Sequence, residues 1–209
     1  MKVDRTIAAW SFAAAIAAAA VAATAAPAPP IANPSPKGVQ AGVYSLDTSH
    51  AMVQFAVSHM GLSTWYGDFS GTKASLNLNP ANPAASSVEV TLPVGSVRTI
   101  NATLTKELAG ADWLDAGKFP NATFKSTKIT LRGPNRADIA GDLTLHGVTR
   151  PVTLNAVFLA QGTNPLNKKY TVGFEATGKF KRSDFGVKTY LPMIGDEITL
   201  TISAPFEKN

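Results

Sequence analysis

Apolar and polar residues alternate with a period of two along most of this chain, and that pattern commits it to half-buried β-strands. In Gly141 to Val152, GDLTLHGVTRPV, Leu143 and Leu145 point one way while Asp142, Thr144 and His146 point the other. Gly147 interrupts the alternation and an extended run resumes from Val148 to Leu159, which predicts a hairpin. Met52 to His59 places Val53, Phe55, Val57 and His59 on one face, and Gln54, Ala56 and Ser58 on the other. Val88, Val90, Leu92 and Val94 alternate with Glu89 and Thr91. Tyr170, Val172, Phe174, Ala176 and Phe180 share a parity broken only by Gly178, and Ile198, Leu200 and Ile202 alternate with threonine and serine. Asn79-Pro80, Asn82-Pro83, Arg132 to Asn135 and Gly162 to Pro165 supply turns between the runs. Runs spaced by about ten residues predict an all-β fold, a single antiparallel β-barrel of about eight strands.

One segment departs from period two. Leu104, Leu108, Ala111 and Leu114 fall at near-helical spacing, and Asn101 suits the N-cap. Gly110 and Gly117 confine Asn101 to Leu114 to a short helix or two.

The N-terminus reads differently again. Lys2 and Arg5 precede an Ala-rich apolar run from Ile7 to Ala23, and Ala23-Thr24-Ala25 offers small residues for cleavage. Residues 1–26 are therefore expected to be a signal peptide, with a retained membrane anchor as the alternative. Residues 27–41, rich in Pro and Ala, are expected to form a disordered leader, and residues 42–209 the barrel domain. No second apolar span of about twenty residues follows, so no integral span is expected in the mature chain. The chain has no cysteine, which excludes thiolate metal sites and thiol catalysis. Its net charge of +5 is modest, and its basic residues are neither clustered nor interleaved with aromatics, so no nucleic-acid partner is expected.

The residues give no positive sign of catalysis. His50, His59 and His146 lack metal-ligand spacing, so no metal site is predicted. There is no Gly-x-Ser-x-Gly elbow, phosphate loop or dinucleotide fingerprint. His59 lies on the apolar parity of its strand, either lining a cavity or hydrogen-bonded in the core. His146, on the polar parity beside a glycine, is expected to be solvent-exposed or to make a structural hydrogen bond. Phe55, Phe69, Trp113, Phe119, Phe124, Phe174, Phe180 and Phe185 give the interior a large apolar surface. A barrel of about eight strands is either filled by such side chains or holds one ligand among them.

Several phrases, in order, resemble the YceI-like family of small exported β-barrel proteins. They are YSLDTSHAMVQFAVSHMG at Tyr44 to Gly61, GDFSG at Gly67 to Gly71, DWLD at Asp112 to Asp115, FPNATFKSTKI at Phe119 to Ile129, GDLTLHGVTRPV, and KRSDFG at Lys181 to Gly186. The resemblance spans nearly all of residues 43–207. It implies a lipocalin-like barrel and a periplasmic carrier for a long isoprenoid lipid, a polyprenyl phosphate or an isoprenoid quinone, with no cofactor. On that reading Phe55, Val57, His59 and Phe69 contact the ligand from the first hairpin. Trp113 and Leu114 contact it from a lid, and Phe119, Phe124, Leu145 and Phe174 from later strands. Arg182, Asp184 and Phe185 stand at the mouth. Arg182 or Asp184 would orient the headgroup, or else the two form a structural pair that closes the barrel corner, with Gly186 shaping the backbone. Three further readings stay open: an enzyme acting on the lipid through His59, Arg182 and Asp184; an outer-membrane barrel; and a binding module with a filled core. An exposed edge or the apolar mouth leaves room for a homodimer.

Overall fold

Alternation becomes a closed wall because the sheet returns on itself. The computed structural model describes residues 32–209. Ten strands follow in chain order: β1 (Gly42–Leu46), β2 (Met52–His59), β3 (Ser63–Phe69), β4 (Lys73–Leu78), β5 (Ser87–Pro93), β6 (Asn121–Leu131), β7 (Arg136–Leu145), β8 (Val148–Thr163), β9 (Tyr170–Lys181) and β10 (Ile194–Lys208). One helix, α1 (Ala102–Ala109), lies between β5 and β6. Sheet neighbours run β1–β4–β5–β6–β7–β8–β9–β10–β2–β3, and β1 also pairs with β10. The long β10 serves two partners. Ile202 lies opposite Val53 of β2, and Phe206 lies opposite Leu46 of β1. So β1 and β2 lie end to end as one wall, and β3 and β4 as the next. The free side of β3 is tied down where Asp68 and Arg98 exchange backbone hydrogen bonds of 2.9 and 2.8 Å. Counted as walls, the barrel has 8 antiparallel members and is closed. Closure removes the exposed sheet edge.

The hairpin read at Gly147 joins β7 to β8, with Leu145 opposite Val148. His146 and Gly147 have φ of 51° and 74°. Two positive φ values in a two-residue loop match the right-handed twist of the flanking strands. Asn101 caps α1 as expected: its side chain accepts from the N–H groups of Thr103 and Leu104. The helix is shorter than the Asn101 to Leu114 spacing suggests. After Gly110 the chain turns back, and the N–H groups of Trp113 and Asp115 both donate to the Gly110 carbonyl.

The expectation of a disordered leader over residues 27–41 is corrected for its second half. Residues 33–40 form a strap across one end of the barrel. Asn33 and Gln161 exchange backbone hydrogen bonds of 2.8 and 2.9 Å. The buried Gln161 amide donates to the Ser35 and Lys37 carbonyls, each at 2.8 Å. Tyr44 Oη donates to the Gln40 carbonyl at 2.6 Å. A Pro-rich backbone cannot extend a sheet regularly, but its free carbonyls can be satisfied by buried side-chain donors. The signal peptide expected at residues 1–26 lies outside the described residues, as do residues 27–31.

Inward positions are apolar. Tyr44, Leu76, Phe158, Val172 and Phe206 form a core cluster toward the strap. Outward positions carry ion pairs: Glu89 with Lys125 at 2.8 Å, Arg132 with Asp138 at 2.6 Å, and Lys179 with Glu197 at 2.7 Å. An outer-membrane barrel has the opposite arrangement, with apolar residues outside.

Candidate functional site

Below α1 the inward side chains stop short of one another and leave an apolar cavity of about 140 Å³. Strand alternation builds its wall: Val53, Phe55 and Val57 from β2, Phe69 from β3, and Leu92 and Ala122 from β5 and β6. Leu143 and Leu145 of β7, Phe180 of β9, and Ile194, Ile198 and Leu200 of β10 complete the circuit. Leu108 of α1 with Trp113 and Leu114 of the following turn form the roof. The Phe55 ring is accommodated because it lies flat against Gly67 of β3. A Cβ on Gly67 would stand 2.3 Å from the ring's Cζ.

Arg182 is the only charged residue in this lining, and it is 3% exposed. Its Nε and Nη2 donate to the carbonyls of Gly195 and Ile194, both at 2.8 Å, and Nη1 donates to that of Val187 at 3.1 Å. Its guanidinium carbon lies 5.4 Å from the Trp113 ring centroid, over the π face. Burial draws the guanidinium pKa below its usual value, and the Asp196 carboxylate opposes that pull. Five donor hydrogens and three carbonyl partners leave donor capacity over.

The expected pairing of Arg182 with Asp184 is not formed. Asp184 lies outside the cavity lining and is exposed. The carboxylate at the corner is Asp196, which accepts from the Ser183 N–H at 2.9 Å and the Ser183 hydroxyl at 2.8 Å. Burial raises the Asp196 pKa, but the two Ser183 bonds and the charges of Arg182 and Lys181 outweigh it, so the net shift is downward. Gly186, with φ of 82°, takes the left-handed turn that ends this corner.

Of the predicted contact residues, Phe55, Val57, Phe69, Trp113, Leu114, Leu145 and Arg182 converge on the cavity. A second cavity, of about 170 Å³, is lined by Phe174 with Phe158, Leu78, Ile139 and the strap residues Pro36 and Val39. On β6, Ala122 lines the first cavity and Ile129 the second. Phe124 is buried between them along that strand, its ring against Gly141. His59 stacks on Trp65 at 5.1 Å between ring centroids, outside the lining. Phe119 packs under the Gly147 turn, 4.8 Å from the His146 ring centroid. Phe185 is buried against Phe180, at 5.2 Å, and its carbonyl accepts from His146 Nδ1 at 3.1 Å. The structural role read for His146 is therefore what its geometry provides. The two most distinctive sequence phrases meet here and clasp the barrel beside the cavity. His59, Arg182 and Asp184, the candidates for catalysis, are not brought together.

Sequence reasoning missed Val187 and Ile194 in the lining. Both sit in irregular chain or at a strand end, where no periodicity marks them. Ile198 and Leu200 share one strand parity, and that signal could have placed them in the wall.

The YceI-like domain model matches residues 44–206. Protein YceI of Escherichia coli O157:H7 is 44% identical over 165 residues, covering 78% of this chain and 85% of the relative. The crystal structure of Burkholderia cenocepacia BcnA superposes with a TM-score of 0.70 at 27% identity, covering 77% of this chain and 98% of that one. A polyisoprenoid binding domain from Saccharophagus degradans, implicated in plant cell wall breakdown, superposes with a TM-score of 0.59 at 16% identity. It covers 79% of this chain and 98% of that one, and shows a shared fold.

Proposed function

The chain belongs to the YceI-like family, and on that premise we propose that it binds a long isoprenoid lipid inside the barrel and carries it through the periplasm. The observation that carries the reading is a cavity walled by aliphatic and aromatic side chains, with a single buried cation in its lining. A polyprenyl chain is nearly insoluble in water, and burial gains about 25 cal/mol per Å² of apolar surface. The spare N–H groups of Arg182 suit a phosphate oxygen or a quinone carbonyl, so the head is a polyprenyl phosphate or an isoprenoid quinone. The polyisoprenoid binding domain of Saccharophagus degradans has the same fold, which supports the ligand class.

The reading is of a binding protein rather than an enzyme, since the candidate acid–base groups stand apart while the apolar wall is continuous. The test is native purification of the chain from residue 27, organic extraction and mass spectrometry. A stoichiometric isoprenoid is the expected result. Recovery of no lipid, with no uptake of added polyprenyl phosphate or quinone, would overturn the reading.

A further inference from the structure

We propose that the end of the barrel formed by the β2–β3 turn and the loop before β10 docks on the surface of a lipid bilayer. This rests on the carrier reading for its purpose and on its own observations for its geometry. The two segments, Met60 to Tyr66 and Thr189 to Gly195, contain no charged residue. They are tied together, since the Met60 N–H donates to the Met193 carbonyl at 2.7 Å. Five apolar side chains stand in water along them: Leu62 is 85% exposed, and Met60, Tyr66, Tyr190 and Met193 are each more than half exposed.

These tips border the first cavity. Tyr190 packs on the cavity roof at Trp113, 6.0 Å between ring centroids, and Ile194, next to Met193, lines the wall. Exposed apolar residues gathered at one place mark an interaction surface, whereas scattered ones carry no meaning. The opposite end is different. There the exposed Leu131 and Leu166 are interspersed with Arg132, Arg136, Lys168 and Lys169, and the strap covers the opening. The barrel therefore differs between its ends, and the rim at the cavity end carries an uncharged apolar stretch bordered by the exposed charges of the roof and of Lys188.

A bilayer fits this rim on chemical grounds. Leucine and methionine insert at the acyl boundary, and tyrosine and tryptophan favour the interface. The bordering charges balance, Lys106 and Lys188 against Glu107 and Asp112, whose carbonyl accepts from the Thr189 hydroxyl, so no anionic lipid is demanded. A cargo that cannot cross water has to enter where the cavity meets its source, and the rim is at that place.

Flotation with phosphatidylcholine vesicles tests this, using the chain from residue 27. That chain contains every pairing of the barrel and strap among the described residues, so it folds as a unit. Bound protein is expected at low salt and equally at about 0.5 M salt, where exposed charges are screened. Vesicles with brominated acyl chains should quench Trp65 and Trp113, the tryptophans that remain. The Leu62→Glu, Met193→Glu double variant should lose at least about tenfold in bound fraction, with its thermal unfolding unchanged.

A native chain that does not float, or a variant that floats as well, overturns the proposal. So does a dimer in sedimentation equilibrium that the variant dissolves while neither chain floats, since the rim would then belong to a second copy. A loaded chain that fails to float refutes docking and spares the carrier reading. A floating chain with an empty cavity supports docking and refutes the carrier.

Discussion

Replacing Arg182 by methionine separates the structural work of this residue from any contact with a ligand. Methionine keeps a long, flexible apolar stem and removes the guanidinium. Three carbonyls, of Gly195, Ile194 and Val187, lose their donor. Each buried acceptor left unpaired costs about 1–2 kcal/mol. Against this, the variant no longer buries a cation whose nearby carboxylate, that of Asp196, is engaged by Ser183. Such relief returns part of the loss, and the net destabilisation comes to about 3 kcal/mol. For a domain of this size each kcal/mol moves Tm by about 2–4 °C, so Tm should fall by about 6–12 °C. The measurement is thermal unfolding of delipidated protein by circular dichroism, with urea unfolding to give the free energy. Arg182→Lys should fall in between, because one ammonium cannot span three carbonyls set by a planar fork. A loss below about 1 kcal/mol in delipidated protein would refute the reasoning. The carbonyls would then not depend on Arg182, and its guanidinium would be available wholly to a ligand.

Further consequences can be checked separately. Asp196 has a depressed folded pKa, so its stabilisation is present above the unfolded carboxylate value of about 4 and is lost as pH falls through the lower folded value. Asp196→Asn should flatten stability against pH below about 4, and urea unfolding across that range reads it; an unchanged slope counts against the assignment. Gly67→Ala should drive the Phe55 ring toward the lumen, cost about 1–3 kcal/mol, and reduce extractable lipid; full lipid content would show that the ring moves elsewhere. Gln161→Leu should free the strap, seen as faster amide exchange at residues 33–40 with β5 to β7 unchanged. Phe124→Ala should join the two cavities and lengthen the isoprenoid chains recovered by extraction, at a stability cost of about 3–5 kcal/mol.

The fold was legible because its main signal is local. Alternation in Met52 to His59 or Gly141 to Leu145 needs only neighbouring residues to declare a strand and its inner face. What stayed hidden is non-local. Nothing in the sequence tells that β10 divides itself between β1 and β2, so that ten strands make eight walls. The strap was hidden for a related reason. Composition reads the small and proline residues on either side of Ser35 as a spacer, but docking depends on one distant amide, Gln161, whose position follows from the register of β8 and β9.

The site divides along the same line. Parity identified Phe55, Val57 and Leu145 as inward, and they reach the cavity because the wall closes around them. Parity could not say where along the axis a side chain falls, and so Phe174 ends in the other cavity while Phe124 stands between the two. The motif left two roles open for Arg182 and Asp184, and the paired one is not formed. Closeness of Arg182 and Asp184 in sequence suggested a pair, but side chains two apart in a tight turn point in different directions. The carboxylate that serves the corner comes from Asp196, across the β9–β10 junction. A motif of that kind records a backbone clasp, in which His146, Phe185 and Arg182 hold carbonyls and turns in place, and the apolar cavity follows from the wall that the clasp keeps closed.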